Sequence, residues 1–318
     1  MKILVTIDLK EKYLDNIREV DSAIEISKKL DFKEQIKEIE DADIMISGGG
    51  SNLDLLQKAG KLDWVQTWSA GVEDYTYDEV VEVLKEKGIR VASMSGIHGD
   101  PIAEHVMGFL INYNRKLYEF YDQQKENLWK DQKVTQLSGR TIVIVGTGSI
   151  GVEIARRAKS FKMKTIGVKR EVNKEVDFID ELYSNQDLHR AISMGDYLVV
   201  TVPLTEETKY MFGEEEFKVM KESAFFVNIA RGEIVNEKAL IEALKNRTIA
   251  AAGLDVFEEE PLPVDSPLYG MDNVYITPHI SGAHPDYNKN AISIFIENLK
   301  RYLNGEELIN LVDYNRGY

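Results

Sequence analysis

The sequence contains no cysteine, which excludes disulfides, thiolate zinc sites and cysteine nucleophiles. It has no apolar run of about 18 or more residues, so no membrane-spanning helix is expected. Met1-Lys2-Ile3 opens directly into a strand pattern. No separate hydrophobic segment with a cleavage site follows, so no signal peptide is apparent and a cytoplasmic location is expected. Basic residues are in short supply: 39 Lys and Arg stand against 54 Asp and Glu, a net charge of −15. So acidic a chain is a poor general binder of nucleic acid or anionic membrane. Any anionic ligand must then be held by local groups, namely helix N-termini and a few placed arginines. No histidine or acidic cluster has metal-ligand spacing, and no metal is expected. Internal repeats of solenoid length and low-complexity segments are also missing.

What is present is enough for two domains with sizeable cores: 318 residues, 43% apolar and 29% charged. The strongest local signal is TIVIVGTGSIG at 141–151. Five β-favouring residues run into Gly146, Gly148 and Gly151, and a helical pattern follows from Val152 to Phe161. Strand, tight turn and helix in that order form the dinucleotide-binding fingerprint. Gly146 permits the turn, Gly148 lets backbone approach a pyrophosphate, and Gly151 lets helix and strand pack closely. The phosphates would rest on N–H groups at the helix start, around Ser149 and Ile150.

On either side of this segment, strands alternate with helices. Strands are expected at 2–7, Ala23–Ile26, Ile44–Ser47, Trp64–Thr67 and Arg90–Ser93, with helices at Phe32–Glu40, Leu53–Ala59 and Glu79–Lys87. A long helix is expected from Ile102 to about Lys125, with Asp100 as N-cap and Pro101 at its first position. It reads as a bridge between domains or a long core helix, with a possible part in dimer packing. Further strands are expected at Lys164–Val168, Tyr197–Val202, Ala224–Ile229, Ile249–Leu254 and Val274–Thr277, and helices at Asn185–Ser193, Glu214–Met220 and Glu237–Asn246. A last helix runs from Pro285 to about Leu303. The apolar tail Leu308–Val312 then packs back onto the first domain, which makes that domain discontinuous. The fold class is α/β with two doubly wound parallel-sheet domains.

Several motifs appear in a recognisable order: VQTWSAGV (65–72), SGIHGDPIAEH (95–105), GTGSIG, VPLTEET (202–208), NIARGEIV (228–235), GLDVFEEEPLP (253–263), TPHISGA (277–283) and NLVDYNRGY (310–318). On these motifs the chain resembles the D-isomer-specific 2-hydroxyacid dehydrogenases, which include glyoxylate/hydroxypyruvate reductases and phosphoglycerate dehydrogenases. The resemblance covers nearly the whole chain. It implies a Rossmann dinucleotide domain (99–285) inserted into a discontinuous flavodoxin-like substrate domain (1–98 plus 286–318). It implies a catalytic Arg231, Glu260 and His279, each at or just past the end of an expected strand. It also implies substrate carboxylate binding by Ser69-Ala70-Gly71, and cofactor contacts from Ser149, Ile150, Val202, Pro203, Thr208, Ile229, Ala230, Arg231, Asp255, His279 and Gly282. Asp255 is matched to the residue that meets the nicotinamide carboxamide. A homodimer is the family's usual state.

Reducing a 2-keto acid needs a carboxylate anchor, a proton donor at the ketone oxygen and a hydride. Arg231 offers a rigid, always charged fork. His279 can give or take the proton, and Glu260 against it would favour the imidazolium. Arg231 alone could be a surface turn, and Glu258, Glu259 and Glu260 alone could be a solvated acidic face. Of the other histidines, His98 is expected near the cleft, His105 as structural, and His189 and His284 on the surface. Trp68, Tyr75 and His98 are candidates to shape the substrate pocket. Lys169 falls where an NAD-binding acid belongs, with Arg170 next to it. Cations there suit a 2′-phosphate, so NADP is favoured, while Glu171 one step later keeps NAD open. A second function class stays open too: an NAD(H)-sensing interaction protein like the C-terminal-binding corepressors, which share the fold and similar site residues.

Overall fold

A computed structural model describes residues 1–48, 50, 53–314 and 316–317. Asn315 and Tyr318, in the closing motif, lie outside the described residues. The chain divides into two compact units: Met1–Ile97 together with His284–Tyr318, and His98–Ala283.

The first unit holds five parallel strands: β1 (Lys2–Val5), β2 (Glu25–Lys28), β3 (Ile44–Ser47), β4 (Trp64–Thr67) and β5 (Arg90–Ala92). Their order is β2-β1-β3-β4-β5, that of a flavodoxin-like doubly wound sheet. Alternate residues feed opposite faces. Ile3, Val5, Ile44, Ile46 and Trp64 pack on one side with Ala291, Phe295 and Leu299 from the helix Tyr287–Asn304. Leu4, Met45, Val65 and Val91 pack on the other, over Leu55, Leu56, Val80 and Leu84. The Trp64 and Phe295 rings stack at 5.1 Å. After the helix stops at Gly305, in the left-handed conformation (φ +71°), the tail returns to the sheet. Leu308 is buried in the first face, Leu311 bridges Ala92 in antiparallel fashion, and the Val312 amide donates to the Val91 carbonyl.

The second unit holds β6 (Thr141–Val145), β7 (Lys164–Lys169), β8 (Glu181–Ser184), β9 (Tyr197–Val200), β10 (Phe225–Asn228), β11 (Ala251–Leu254) and β12 (Val274–Ile276). All are parallel, in the order β12-β11-β10-β9-β6-β7-β8. This is the dinucleotide-binding topology with one strand added at an edge, and its switch point lies between β6 and β9. Val143 and Val145 face one core layer and Ile142 and Ile144 the other, as a sheet covered on both sides requires.

Several elements depart from expectation. A helix at Glu11–Arg18 was not foreseen, nor was the edge strand β8. The long helix begins at Gly99, so His98 rather than Asp100 is its N-cap, and Pro101 is its third residue. Asp100 instead pairs with Arg156 and Arg157. The helix ends at Arg115, where Lys116 turns left-handed (φ +54°), and a second helix runs from Leu117 to Lys125. Two asparagines stabilise the break by taking main-chain partners: Asn112 accepts from the Tyr118 amide (3.0 Å) and Asn114 donates to the Leu110 carbonyl (2.7 Å). The whole of both helices belongs to the second unit.

Candidate active site

The glycine loop sits at the carboxyl end of β6, beside the switch point. Gly146 has φ +101°, and a Cβ there would press on the Thr201–Val202 peptide within 2.9 Å. At Gly151 a Cβ would run into the Gly146 carbonyl oxygen, whereas at Gly148 it would meet open space. The loop is therefore closed tightly against protein at two glycines and left open at the third. The helix Ser149–Ser160 starts here without any side-chain cap or acidic residue in its first turn, so its leading amides remain available for an anion. The buried Thr147 hydroxyl has no hydrogen-bond partner among the described residues. A cradle of this kind fits a pyrophosphate.

Lys169 ends β7, half-buried, with exposed Arg170 next. The Arg170 guanidinium lies 3.1 Å from Glu207, in the loop that follows β9. That loop is braced by Thr208, whose buried hydroxyl donates to the Pro203 carbonyl (2.6 Å) and accepts from the Thr205 amide (2.8 Å). Thr208 thus shapes the loop through internal bonds. Val202 is half-buried and Pro203 exposed on it.

Three neighbouring strands, β10, β11 and β12, present the remaining residues from their carboxyl ends. Buried Asn228 closes the turn after β10: its amide donates to the Arg231 carbonyl (2.9 Å) and its oxygen accepts from the Ala230 N–H (3.1 Å). Ile229 and Ala230 are buried beneath. Arg231 is half-buried, and its guanidinium donates to the Ala230 carbonyl at 2.6 Å. Gly232 next to it is obligatory, since a Cβ would overlap the Phe257 carbonyl group.

Beyond β11, the acidic run is not simply solvated. Glu258 accepts from the Glu237 amide at the start of the helix Glu237–Lys245 (2.9 Å). Glu260 accepts from the Phe257 amide through Oε1 (3.0 Å) and meets His279 Nδ1 through Oε2 at 2.7 Å. One carboxylate oxygen anchors the side chain and the other holds the imidazole. His279, exposed and left-handed at φ +52°, keeps that costly conformation because its amide donates to the Asp255 carbonyl (2.8 Å). The Asp255 side chain is wholly buried. Its Oδ1 accepts from Thr277 Oγ1 (2.6 Å) and the Ile280 amide (3.0 Å), and its Oδ2 from the Ser281 amide (2.9 Å). Burial pushes this carboxyl up, but the hydrogen bonds from Ser281, Thr277 and the Ile280 amide outweigh it and hold it below the ordinary range.

The family resemblance matches Asp255 to a cofactor contact; in the structure its carboxylate accepts from the Thr277 hydroxyl and the Ile280 and Ser281 amides. Those bonds could not be read from spacing. Gly282 packs on the His98 ring, which a Cβ would approach to 3.0 Å. His105 is part of the same framework and is taken up below. His189 is exposed and pairs with Glu216 (2.8 Å), whereas His284 is half-buried beside Tyr287 rather than on the surface. In the first unit, Ser69, Ala70 and Gly71 are half-buried just past β4, where the Ser69 hydroxyl donates to the Gly71 carbonyl (2.7 Å). Trp68 and Tyr75, proposed pocket residues, are buried there. Among the described residues no cluster of three or more acidic or histidine side chains could hold a metal, and no helix is long and apolar enough to cross a membrane.

A parallel sheet in dinucleotide-binding order, with a glycine cradle at its switch point and a paired histidine and glutamate along the same edge, has the make-up of a dinucleotide-binding domain. The family model for the NAD-binding domain of D-isomer-specific 2-hydroxyacid dehydrogenases matches residues 107–281. A D-3-phosphoglycerate dehydrogenase of Methanocaldococcus jannaschii is 36% identical over 98% of this chain, which spans 59% of that relative's length. A glyoxylate reductase of Korarchaeum cryptofilum is 35% identical over 87% of this chain and 85% of its own. A D-isomer specific 2-hydroxyacid dehydrogenase from Xanthobacter autotrophicus, solved in complex with NADPH and MES, superposes with a TM-score of 0.85 at 25% identity, covering 100% of this chain and 99% of that one. The chain belongs to the D-isomer-specific 2-hydroxyacid dehydrogenase family.

Proposed function

We propose that the protein is a 2-keto acid reductase (D-2-hydroxyacid dehydrogenase) in which His279, paired with Glu260, is the acid–base group and Arg231 binds substrate. The observation that carries this reading is the 2.7 Å contact between His279 Nδ1 and Glu260 Oε2. With Nδ1–H committed to a carboxylate, Nε2 is the nitrogen left to exchange a proton with a ketone or alcohol oxygen. The Phe257 amide keeps Glu260 from swinging away. Arg231 supplies a positive charge that holds carboxylate and polarises the ketone. Ser69-Ala70-Gly71 is the proposed backbone anchor for the carboxylate, its small side chains permitting close approach. The nicotinamide, when bound, supplies or receives the hydride.

The unit 98–283 is the proposed nucleotide-binding domain, and 1–97 with 284–318 the substrate domain. Gly146, Gly148, Ser149, Ile150 and Gly151 are the proposed pyrophosphate cradle, with Val202, Pro203, Ile229, Ala230 and Gly282 lining the rest. Lys169 and Arg170 favour NADP over NAD, a reading supported by the NADPH in the Xanthobacter structure. The corepressor-like alternative is not favoured, because the relatives are named as dehydrogenases and reductases.

Steady-state assays with glyoxylate, hydroxypyruvate and bulkier keto acids, each with NADPH and NADH, test the assignment. Turnover of at least one substrate is expected, with NADPH preferred. Arg170→Glu should raise KM for NADPH far more than for NADH; equal effects would refute the NADP preference. No turnover on the whole panel would refute the enzyme.

A further inference from the structure

The loop that carries His279 is held by a chain of side chains, half-buried at His105 and Thr277 and wholly buried at Asp255. Gly253 in β11 leaves a hollow in which Phe109 sits, since a Cβ there would press on the Phe109 ring at 2.8 Å. Phe109 meets the His105 ring edge-on at 4.7 Å. His105 Nε2 in turn lies 3.0 Å from Thr277 Oγ1, which is 2.6 Å from Asp255 Oδ1. The direction of these bonds is fixed by elementary chemistry. A carboxylate only accepts, so the single Thr277 proton goes to Asp255. The Thr277 oxygen must then accept, and His105 is the donor, in its Nε2–H form. Asp255 spends its other capacity on the amides of Ile280 and Ser281. Every bond in the chain therefore points at the segment 277–281, in whose middle His279 adopts φ +52°.

We propose that His105, acting through Thr277 and Asp255, is a positioning residue that holds the His279 loop so that the imidazole stays seated on Glu260. It touches no reacting group on this account, and its role rests on the acid–base assignment of His279 made above. A helix-borne histidine at this place is more than filler, because only a donor that reaches Thr277 completes the chain.

The test uses two pairs of variants in the full-length protein. Thr277→Val and His105→Ala remove the link; Thr277→Ser and His105→Gln restore a hydroxyl or a terminal N–H donor. The link-breaking variants should lose about tenfold in kcat with NADPH affinity, read by fluorescence titration, unchanged within about twofold. The restoring variants should recover kcat to within about threefold of the parent. In ¹⁵N-histidine spectra, the His279 Nδ1 resonance should move in Thr277→Val in the direction seen for Glu260→Gln. Unchanged kcat in both link-breaking variants would overturn the proposal, as would parallel loss of nucleotide affinity, or failure of both restoring variants. If His105→Ala does not fold, the near-isosteric Thr277→Val decides. If the parent protein reduces no keto acid at all, it is the enzymatic reading that fails. The ¹⁵N signal then still judges His105: a shift of the His279 resonance in His105→Ala that His105→Gln reverses supports it, and a resonance unmoved in His105→Ala refutes it.

Discussion

At the residue scale, the site turns on a few side chains whose second bond matters as much as the first. Glu260 is useful because the Phe257 amide fixes one oxygen while the other faces His279. Glu260→Gln keeps the shape and removes the carboxylate that holds the imidazole through Nδ1. A fall in kcat of about 100-fold with little change in melting temperature is expected, measured by steady-state kinetics and calorimetry. His105 offers a test by stability. Burial pushes its pKa below 6.5, and nearby Asp255 only partly offsets this. The unfolded chain therefore binds a proton more readily than the folded one, so this group's contribution is present above the unfolded pKa and is lost as pH falls toward the folded one. Urea denaturation at about pH 7.5 and about pH 5.5 should show His105→Gln losing less stability on acidification than the parent.

The residue scale is also where sequence reasoning had its clearest limit. The paired histidine and glutamate were legible from motif order. The closed bonding of Asp255 was not, because its partners come from residues 277 to 281, across a turn and another strand. Gly232 was passed over for a similar reason: what makes it obligatory is the Phe257 carbonyl, a neighbour only after folding.

At the scale of elements, legibility followed burial. The strands IMIS and WVQT are buried at every residue, and their ends were expected where the structure has them. Strand β8, ELYS, is half-buried throughout and offers neither alternation nor an apolar run. The helix Glu11–Arg18 buries only Leu14 and Ile17, too short a stripe to stand out. The break at Lys116 was hidden because apolar residues continue in helical spacing across it. The glycine fingerprint, by contrast, encodes packing directly. Gly151→Ala forces a methyl group into the Gly146 carbonyl. It should lower stability by about 1–3 kcal/mol in urea titrations and weaken NADPH binding, because loop and helix must separate. Gly148→Ala, facing open space, should leave stability nearly unchanged while still hindering the nucleotide.

At the scale of the whole molecule, the two sheets follow two known winding orders, and both were anticipated from alternating strands and helices together with family resemblance. The charge of −15 means that cations at the nucleotide site are local exceptions. Arg170 has Glu207 only 3.1 Å away, so on the proposed NADP reading a 2′-phosphate would have to compete with that carboxylate. Assembly is a separate question with its own test. The segment 117–129 exposes Leu117, Tyr118, Tyr121, Leu128 and Trp129, the last completely. Apolar side chains so concentrated favour an interface. A homodimer through this segment is expected, and Tyr121→Glu combined with Trp129→Glu should shift sedimentation velocity toward the monomer without loss of the folded signal.

The return of residues 284–318 to the first unit also sets a schedule. On the ribosome, β1 to β5 are made early, yet Phe295, Leu299 and Leu308, which cover one face of their sheet, emerge only after all of 98–283. The inserted unit is contiguous and can close as soon as it clears the exit tunnel. The first 97 residues must wait with Trp64 lacking its stacking partner Phe295, an exposed apolar face until synthesis reaches the final helix.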